Sequence, residues 1–389
     1  MNKKAFIIIF LLIIFSVFLI VPIKEVLIHT GKIEFYRNDN WKTVEKTNDP
    51  IYDKIMSIEA NIENRYNNYF PFYNEINSFY YNSIINIDSM YLNDIYLKDN
   101  NDKDHIFYDR DNDFFYLINK YSKEELDKRL EEQVEFYNDI NNKYPSINLA
   151  LYIPLRYEST SYKNINNNND KINEFLSKLN ENINAKVFDS ETVEDYLKYY
   201  YKTDHHYNSY GAEKAYLDIM EMFNLENNID FEHEIIKTPY LGSMAKSTLL
   251  RKVYDDLSAM KVSNDIKVLN VDENFKPLEL EDKTNPFYDY YVKYFNGAYG
   301  EVIYENGVDH NRNLLIIGDS MSWQIDYLLA KNFDKTLVIN TKYSPWTFKD
   351  LLLKDYIDTY KITHILFLRE AKNIVFDADN FAVDKKVIR

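Results

Sequence analysis

The feature that most constrains the fold is an alternation of strand-length apolar runs with helical patterns. Leu126, Leu130 and Val134 repeat at helical spacing after a capping-box pair, Ser122 and Glu125. Strand-length apolar runs then recur downstream, in the segments INLALYIP (147–154), RNLLIIGDS (312–320), TLVINT (336–341) and THILFLRE (363–370). Alternation of this kind is typical of a mainly parallel sheet covered by helices on both faces. The sequence therefore predicts an α/β fold from about residue 121 to 389, with 225–312 as a candidate insertion.

The N-terminus carries a different signal. After Lys3 and Lys4, the uncharged run from Ala5 to Val21 is 17 residues long and ends before Pro22. This length is near the lower limit for a transmembrane helix, and the leading lysines predict a cytoplasmic N-terminus. No small-residue cleavage site follows, which favours an uncleaved anchor over a signal peptide. We therefore predict a membrane anchor over residues 1–30, a single-pass protein of the cell membrane and an extracytoplasmic main domain.

Residues 31–120 form an aromatic and Asn-rich region that shows mixed periodicity. Asp109, Asp111 and Asp113 alternate as calcium ligands do in an EF-hand loop. That loop requires glycine where Phe114 stands and glutamate where Lys120 stands, so we interpret the segment as a solvated turn.

Composition excludes several classes of function. The chain of 389 residues has a formal net charge of −16, and an acidic protein lacks the basic face that nucleic acid binding requires. It contains no cysteine, which excludes thiol catalysis and Cys-based zinc sites. We predict no nucleic acid partner, no cofactor and no metal.

Glycine is scarce, with seven in the chain, and one of them lies in the segment IIGDS. A glycine between a buried strand and a helix permits a sharp turn, and it exposes the residues that follow at the open end of the sheet. Ser320 is then a candidate nucleophile whose N–H lies at a helix N-terminus and can bind an oxyanion. The alternative is that Ser320 only caps a helix.

The segment KTDHHYNSYGAEKAY (202–216) supplies candidate partners for this serine. Asp204 and His206 are separated by one residue, so both side chains can point the same way, with Asp204 orienting the imidazole that deprotonates Ser320. His205 points the other way and is free for substrate contact or a structural hydrogen bond. A metal site on the two histidines would need a third ligand, and His233, His310 and His364 show no recognisable ligand spacing.

With these motifs, the sequence resembles the DHHW family of bacterial extracytoplasmic proteins. That family is related to the SGNH-hydrolase-like proteins of alginate O-acetylation, in which an upstream D-x-H motif pairs with a downstream G-D-S serine. The resemblance rests on the anchor, IENRYNNYFPF, the DHH segment, YLGSMAKS, LLIIGDSMS and THILFLRE. It implies an SGNH-hydrolase-like three-layer α/β/α fold, with Ser320 as nucleophile, His206 as base and Asp204 as its orienting partner.

The sequence departs from the family pattern at three positions. Tyr207 replaces the Trp that names the family, and Asn208 stands where Thr is usual. The last strand ends Arg369-Glu370, whereas the related alginate proteins tend to end it in Glu-Arg. Candidate substrate contacts complete the predicted site, and Gly242 and Ser243 are also candidate oxyanion donors. These contacts are His205, Tyr207, Asp319, Gly242, Ser243 and Arg369.

Three functions are compatible with these sequence features. The first is a serine esterase or O-acyltransferase that acts on acyl groups, most simply acetyl, of a cell-surface polysaccharide, with a membrane-bound O-acyltransferase as candidate acyl donor. The second is a non-catalytic glycan-binding protein, in which Ser320 and His206 lie too far apart to share a proton. The third is a metal-dependent hydrolase centred on His205 and His206.

Overall fold

A computed structural model describes most of the chain from residue 73 onward. The described ranges are 73–88, 92–100, 104–119, 122–165, 168–227, 229–248, 250, 252–261, 266–269, 280, 288–295, 299–307, 311–340 and 353–376, together with isolated positions before residue 73. The predicted anchor, Ala5 to Val21, lies outside the described residues. No helix within these ranges is both long and apolar enough to cross a bilayer.

The described part of the chain contains strands and helices in alternation. The strands are β1 (Asp94–Asn100), β2 (Asp104–Asp109), β3 (Phe114–Asn119), β4 (Asn148–Pro154), β5 (Asn184–Phe188), β6 (His233–Tyr240), β7 (Asp255–Met260), β8 (Lys267–Leu269), β9 (Glu301–Glu305), β10 (Asn313–Gly318), β11 (Lys335–Asn340) and β12 (His364–Leu368). The helices are α1 (Tyr73–Asp88), α2 (Lys123–Lys143), α3 (Asn168–Lys178), α4 (Val193–Tyr199), α5 (Ser209–Met222), α6 (Ser243–Thr248), α7 (Tyr290–Tyr294), α8 (Asp326–Ala330), α9 (Leu353–Tyr360) and α10 (Ala371–Ile374).

The central sheet has seven strands in the order β5-β4-β12-β10-β11-β9-β8. The first five run parallel, and β9 and β8 extend the sheet antiparallel at the β11 edge. The mainly parallel α/β sheet predicted from the alternation is therefore present. Strands β8 and β9 lie within the predicted insertion (225–312), so part of that region belongs to the main sheet.

Side chains alternate between the two faces of the sheet. Along β10, Leu314 and Ile316 join a cluster that contains residues of α4, α5 and α8. Leu315 and Ile317 join a second cluster, which contains residues of α2, α3, α9 and α10. Successive strand residues point to opposite faces of a sheet, so the two clusters lie on opposite faces. Helices therefore cover both sides of the sheet, and the domain has three layers.

Strands β1, β2 and β3 form a separate antiparallel sheet that packs against this body. Tyr116 of β3 contacts Tyr157 after β4, with ring centroids 5.0 Å apart. On the other face of β3, Phe115 and Leu117 lie in a cluster with Leu241. This part of the region before Ser122 is therefore joined to the α/β body through buried aromatic and aliphatic contacts.

Local sequence signals explain several boundaries. Ser122 and Glu125 form the predicted capping box at the start of α2. Asp109 and Asp113 flank the turn between β2 and β3, where the Asn112 N–H donates to Asp109 at 2.9 Å. After Ser320 the chain forms a 3₁₀ turn (Ser322–Gln324) followed by the five-residue α8.

Candidate active site

Ser320 lies just beyond β10, at the carboxyl edge of the parallel sheet. Ligand sites in open α/β sheets occur at this edge, because the loops that leave the strands meet there. Gly318, two residues earlier, allows the turn to close: a Cβ there would lie 2.5 Å from the Ser322 Oγ. The sharp turn that the glycine predicted is therefore present, and it leaves Ser320 partly exposed.

The loop that carries Asp204 to His206 is held at both ends. Asp255 of β7 accepts hydrogen bonds from the N–H groups of Lys202 (2.9 Å) and Thr203 (2.8 Å). At the other end, Tyr200 and Tyr207 form an isolated antiparallel bridge. Hydrogen bonds of its own backbone, to Asp255 and across the Tyr200–Tyr207 bridge, thus fix the loop independently of Ser320.

Ser320, His206 and Asp204 form a continuous chain of hydrogen bonds. The Ser320 Oγ lies 2.6 Å from the His206 Nε2, and the His206 Nδ1 lies 2.7 Å from the Asp204 Oδ1. These are the distances and the atom order of a Ser-His-Asp triad. The structure therefore brings together the three residues that the sequence predicted as nucleophile, base and orienting acid.

Asp204 is buried and its carboxylate is fully hydrogen-bonded. The Tyr240 hydroxyl donates to Oδ2 at 2.8 Å, the Ser243 N–H donates to Oδ2 at 2.7 Å, and the Ser243 hydroxyl donates to Oδ1 at 3.1 Å. Burial alone would raise the pKa of Asp204, but the charges of His206 and His205 and the hydrogen bonds from both rings hold that pKa well below its usual range. The carboxylate therefore remains ionised and can stabilise an imidazolium at His206.

His206 is buried, and an aromatic ring covers it. The Tyr291 ring lies against the imidazole with centroids 4.1 Å apart. Burial, followed by the charge of His205, lowers the pKa of His206 below its usual value, while Asp204 acts in the opposite direction. The neutral form that can accept a proton from Ser320 is therefore favoured.

Gly242 is required by the close approach of two loops. A Cβ at this position would lie 2.4 Å from the Asp204 Cβ and 2.5 Å from the Thr203 carbonyl oxygen. Real Cβ atoms do not approach other atoms this closely, so only glycine fits without displacing Asp204.

Gly242 and Ser243 do not serve as the oxyanion donors that the sequence suggested. The Gly242 N–H donates to the Thr203 Oγ1 at 2.9 Å, and the Ser243 N–H is used by Asp204. Among the described residues, no acceptor contacts the Ser320 N–H, which leaves it available to a substrate oxygen. The helix that follows it is short, so we assign no helix-dipole contribution to that donor.

Asp319 orders the serine turn and does not face a substrate. Its carboxylate accepts hydrogen bonds from the N–H groups of Met321 (2.9 Å) and Glu370 (3.0 Å) and from the Asn373 Nδ2 (2.9 Å). The predicted substrate contact at Asp319 is therefore wrong. This carboxylate ties the turn after β10 to the residues that follow β12.

Tyr207 and Arg369 are also corrected by the structure. The Tyr207 side chain is fully buried in the core, and its hydroxyl donates to the Met321 carbonyl. Arg369 is buried as well, and no described hydrogen bond or ion pair joins it to the triad. Neither side chain is placed to contact a substrate, because both lie below the protein surface.

Glu370, the residue directly after Arg369, lies beside His205. Its Oε1 lies 3.4 Å from the His205 Nε2, and its Oε2 accepts from the Arg156 Nη2 at 2.7 Å. Burial acts to raise the pKa of Glu370, but the charges of Arg156, His205 and Lys372 lower it to about 2. His205 therefore bridges the triad to a buried ionic cluster.

Asp204, His205 and His206 also offer ligand atoms that lie within 4.8 Å of one another, a spacing that a metal ion could bridge. In the present arrangement, however, Asp204 and His206 are joined by a hydrogen bond, and the second His206 nitrogen faces Ser320. We therefore interpret the group as hydrogen-bonded side chains.

Three further residues, Tyr240, Tyr291 and Glu370, belong to the site, and none of them was predicted from the sequence. Tyr240 ends β6 two residues before Gly242, and Glu370 follows Arg369 just after β12. Their closeness in sequence to these two predicted site residues was an available signal. Tyr291 lies in a segment without clear periodicity, and no pattern in the sequence indicated it.

Comparisons with known proteins identify the fold. The sequence matches no family model and no curated protein. The structure is similar to a DHHW family protein from Eubacterium siraeum, with a TM-score of 0.57 and 18% identity over 75% of this chain and 97% of the other. It is also similar to Bacillus cereus PatB1, with TM-scores of 0.53 and 0.52 and identities of 18% and 19% in two structures, one of which carries a sulfonyl adduct.

The matches to PatB1 cover 72% and 74% of this chain and 98% and 100% of the other. At these identities the likeness establishes a shared fold. It agrees with the fold relationship that the DHH and GDS motifs indicated.

Proposed function

We propose that this protein is a serine-dependent acyl-transfer enzyme, an O-acyltransferase or esterase, that acts on acyl groups of a cell-surface polysaccharide. The observation that carries the proposal is the unbroken path from the Ser320 Oγ through His206 to Asp204, with contacts of 2.6 and 2.7 Å. A buried imidazole that faces a serine hydroxyl and is oriented by an ionised carboxylate is the arrangement that activates serine near neutral pH.

The chemistry follows from these positions. The Ser320 Oγ attacks the acyl carbonyl while His206 takes the hydroxyl proton at Nε2, and the Ser320 N–H is available to the developing oxyanion. Collapse of the tetrahedral intermediate breaks the ester bond, and His206 returns the proton to the departing alcohol. A second hydroxyl, from water or a sugar, then loses its proton to His206 and attacks the acyl carbonyl. The bond between the acyl carbon and the Ser320 Oγ breaks, and His206 returns the proton to that oxygen.

The acyl group and the acceptor are inferred from the resemblance to the alginate O-acetylation proteins. That resemblance supports acetyl as the acyl group, a polysaccharide hydroxyl as the acceptor and a membrane-bound O-acyltransferase as the donor. An extracytoplasmic location, with the chain anchored by Ala5 to Val21, is part of the same proposal. Whether water or a sugar is the second acceptor depends on how the loops around Ser320 exclude water.

Labelling with a fluorophosphonate and turnover of an acetyl ester test the reaction. The soluble part, from about residue 31, is compared with Ser320→Ala and His206→Ala. A matched control is Ser177→Ala, which removes an exposed serine hydroxyl on α3. We expect wild type and the control to label and turn over ester, Ser320→Ala to lose both, and His206→Ala to lose turnover.

Two alternatives make different predictions in the same assay. A glycan-binding protein without catalysis would fold normally and show neither labelling nor turnover, although the 2.6 Å Ser320–His206 distance does not agree with the separation expected of it. A metal-dependent hydrolase would lose activity on treatment with a chelator and regain it with a divalent ion. Acetate release, compared with acetylation of an added oligosaccharide, then separates esterase from transferase.

A further inference from the structure

A cavity of about 400 Å³ lies beside the loop that carries Asp204 and His206. The end of α4, the start of α5 and facing parts of β6 and β7 line it. Two lining residues are tied to the loop. The Tyr201 N–H donates to the His206 carbonyl at 3.1 Å, and Asp255 accepts from the N–H groups that precede Asp204. The volume lies in the range of small-molecule sites, and the cavity shares its wall with the triad loop.

Tyr210 supplies an aromatic surface at this cavity. The residue is 52% exposed, and its ring is stacked on the His233 ring, with centroids 4.1 Å apart and planes 26° apart. The His233 Nε2 lies 2.7 Å from a carboxylate oxygen of Glu213 on α5, which fixes the supporting ring. Tyr210 is therefore held in place and still has ring area that a ligand can cover.

Two polar atoms of the lining residues have no hydrogen-bond partner among the described residues. They are the Oγ of Ser209, a residue that is fully buried, and the Nδ1 of His233. Buried polar atoms in folded proteins are nearly always paired with protein, water or a ligand. The cavity thus combines unused hydrogen-bonding capacity with the aromatic surface of Tyr210.

The N-terminus of α5 lies at the cavity, but it is already capped. The Asn208 Oδ1 accepts from the N–H groups of Tyr210 at 3.0 Å and Gly211 at 3.2 Å, and the Ser209 N–H donates to the Ser258 Oγ at 3.2 Å. An anion bound at a helix N-terminus needs such N–H groups to be free. The helix end therefore does not provide a phosphate or carboxylate site.

The charges at the cavity also disfavour an anion. The described residues that line it include three carboxylates and one lysine, namely Glu234, Asp255, Asp256 and Lys202. A carboxylate or phosphate on a ligand would enter a negative field, whereas hydroxyl groups can donate to the carboxylates. The cavity is suited to an uncharged ligand that has several hydroxyls and one apolar face.

We propose that this cavity is a subsite for a neutral pyranose unit of a polysaccharide. The apolar face of the sugar ring packs on Tyr210, and its hydroxyls bond to the polar groups of the lining. Lys202, in the lining, is four residues from His206, so their Cα atoms are at most about 14 Å apart, a span that a short run of sugar units covers. The subsite then holds an uncharged acceptor chain beside Ser320. This acceptor role rests on the proposed function, whereas sugar binding itself does not.

The first test measures sugar binding without any turnover. The full chain carrying Ser320→Ala is applied to an array of oligosaccharides, neutral ones of glucose, galactose, mannose and N-acetylated amino sugars, and charged ones of uronic acids. Titration calorimetry then gives the Kd of each oligosaccharide that binds. We expect a neutral oligosaccharide to bind and the uronic acid oligosaccharides not to bind. Absence of binding by every neutral oligosaccharide overturns the proposal.

The second test locates the binding with variants made in the Ser320→Ala chain. Tyr210→Ala removes the ring and Tyr210→Phe retains it. Tyr162→Ala is the matched control, because Tyr162 is 51% exposed and also lies beside another ring, Tyr157, but does not line the cavity. We expect Tyr210→Ala to weaken binding of the neutral oligosaccharide by about tenfold, the effect of one aromatic contact. Tyr210→Phe and Tyr162→Ala should keep the Kd of the parent.

Each outcome decides one part of the proposal. An equal Kd in Tyr210→Ala and Tyr162→Ala overturns the location of the subsite. A uronic acid oligosaccharide that binds and is lost in Tyr210→Ala overturns its assignment to a neutral sugar.

The subsite and the serine-dependent reaction fail in different ways. A wild type that labels with fluorophosphonate, in a chain that binds no neutral sugar, refutes the subsite alone. A chain that binds sugar through Tyr210 but does not label refutes the reaction alone. In active protein, an equal KM for the oligosaccharide acceptor in Tyr210→Ala and Tyr162→Ala refutes the acceptor role and leaves both other results intact.

Discussion

The Tyr291 ring lies nearly parallel to the His206 imidazole, with planes 18° apart, and the Tyr291 hydroxyl donates to the Ser320 carbonyl at 3.0 Å. One residue of α7 thus covers the proposed base and also holds the turn that carries the nucleophile. Both contacts depend on a part of the chain that is distant in sequence from the DHH and GDS motifs.

Tyr291→Phe and Tyr291→Ala separate these two contacts. The Phe variant keeps the ring and loses one hydrogen bond, which contributes about 1 kcal/mol. We therefore expect kcat/KM to fall by about tenfold or less. The Ala variant also exposes His206 to water, and we expect a larger loss together with a rise in the pKa of His206. Ester turnover as a function of pH measures both, and equal losses in the two variants would show that the ring itself contributes nothing.

Gly242→Ala tests the close approach between the loops. Its Cβ would overlap the Asp204 Cβ and the Thr203 carbonyl, so we expect Asp204 to be displaced, turnover to fall at least a hundredfold and Tm to decrease. Gly307→Ala is the matched control, because Gly307 has φ +72° and open space around it. Left-handed backbone strain there costs about 1–2 kcal/mol and leaves turnover unchanged. Activity retained in Gly242→Ala would contradict the geometry.

The sequence predicted the parts of this site that depend on local pattern. Apolar runs at strand spacing predicted the parallel sheet, Gly318 predicted the turn before Ser320, and the one-residue gap between Asp204 and His206 predicted that both side chains face one way. These features arise from residues close together in the chain, so a period or a spacing reveals them.

The rest of the site depends on contacts between residues that are far apart in sequence. Tyr291 reaches His206 from α7, and Glu370 reaches His205 from the end of β12. Tyr207 is a candidate substrate contact in the sequence, yet tertiary packing buries its side chain in the core. A residue's place in a motif does not determine its burial, since burial depends on the elements that pack over it.

The rate of serine labelling should depend on pH through His206. The rate rises with pH as the imidazole loses its proton, because only the neutral ring can accept the Ser320 proton. Burial and the charge of His205 lower the pKa of His206 in the folded protein, so the half-maximal rate should lie below pH 6.5. A pseudo-first-order rate of fluorophosphonate labelling measured from pH 4.5 to 8 checks this, and a midpoint above pH 7 would be the contrary result.

Asp104→Asn tests whether the β1–β3 sheet supports the site through its buried charge. Asp104 accepts from the Arg156 Nη1 at 3.1 Å and the Lys372 Nζ at 3.2 Å. Burial acts to raise the pKa of Asp104, but the charges of these two cations lower it below its ordinary value. The amide leaves the two buried cations with less compensation, so we expect the free energy of unfolding to fall by about 3–5 kcal/mol.

Asp111→Asn is the matched control, because Asp111 lies seven residues later in the adjoining turn, is half exposed and pairs with Arg110. Loss of such a surface pair should change the free energy of unfolding by about 1 kcal/mol or less. Urea denaturation of the two variants and the wild type gives the comparison. Equal stability of Asp104→Asn and Asp111→Asn would show that the buried cations do not depend on Asp104, and that the three-stranded sheet does not stabilise the site through this charge.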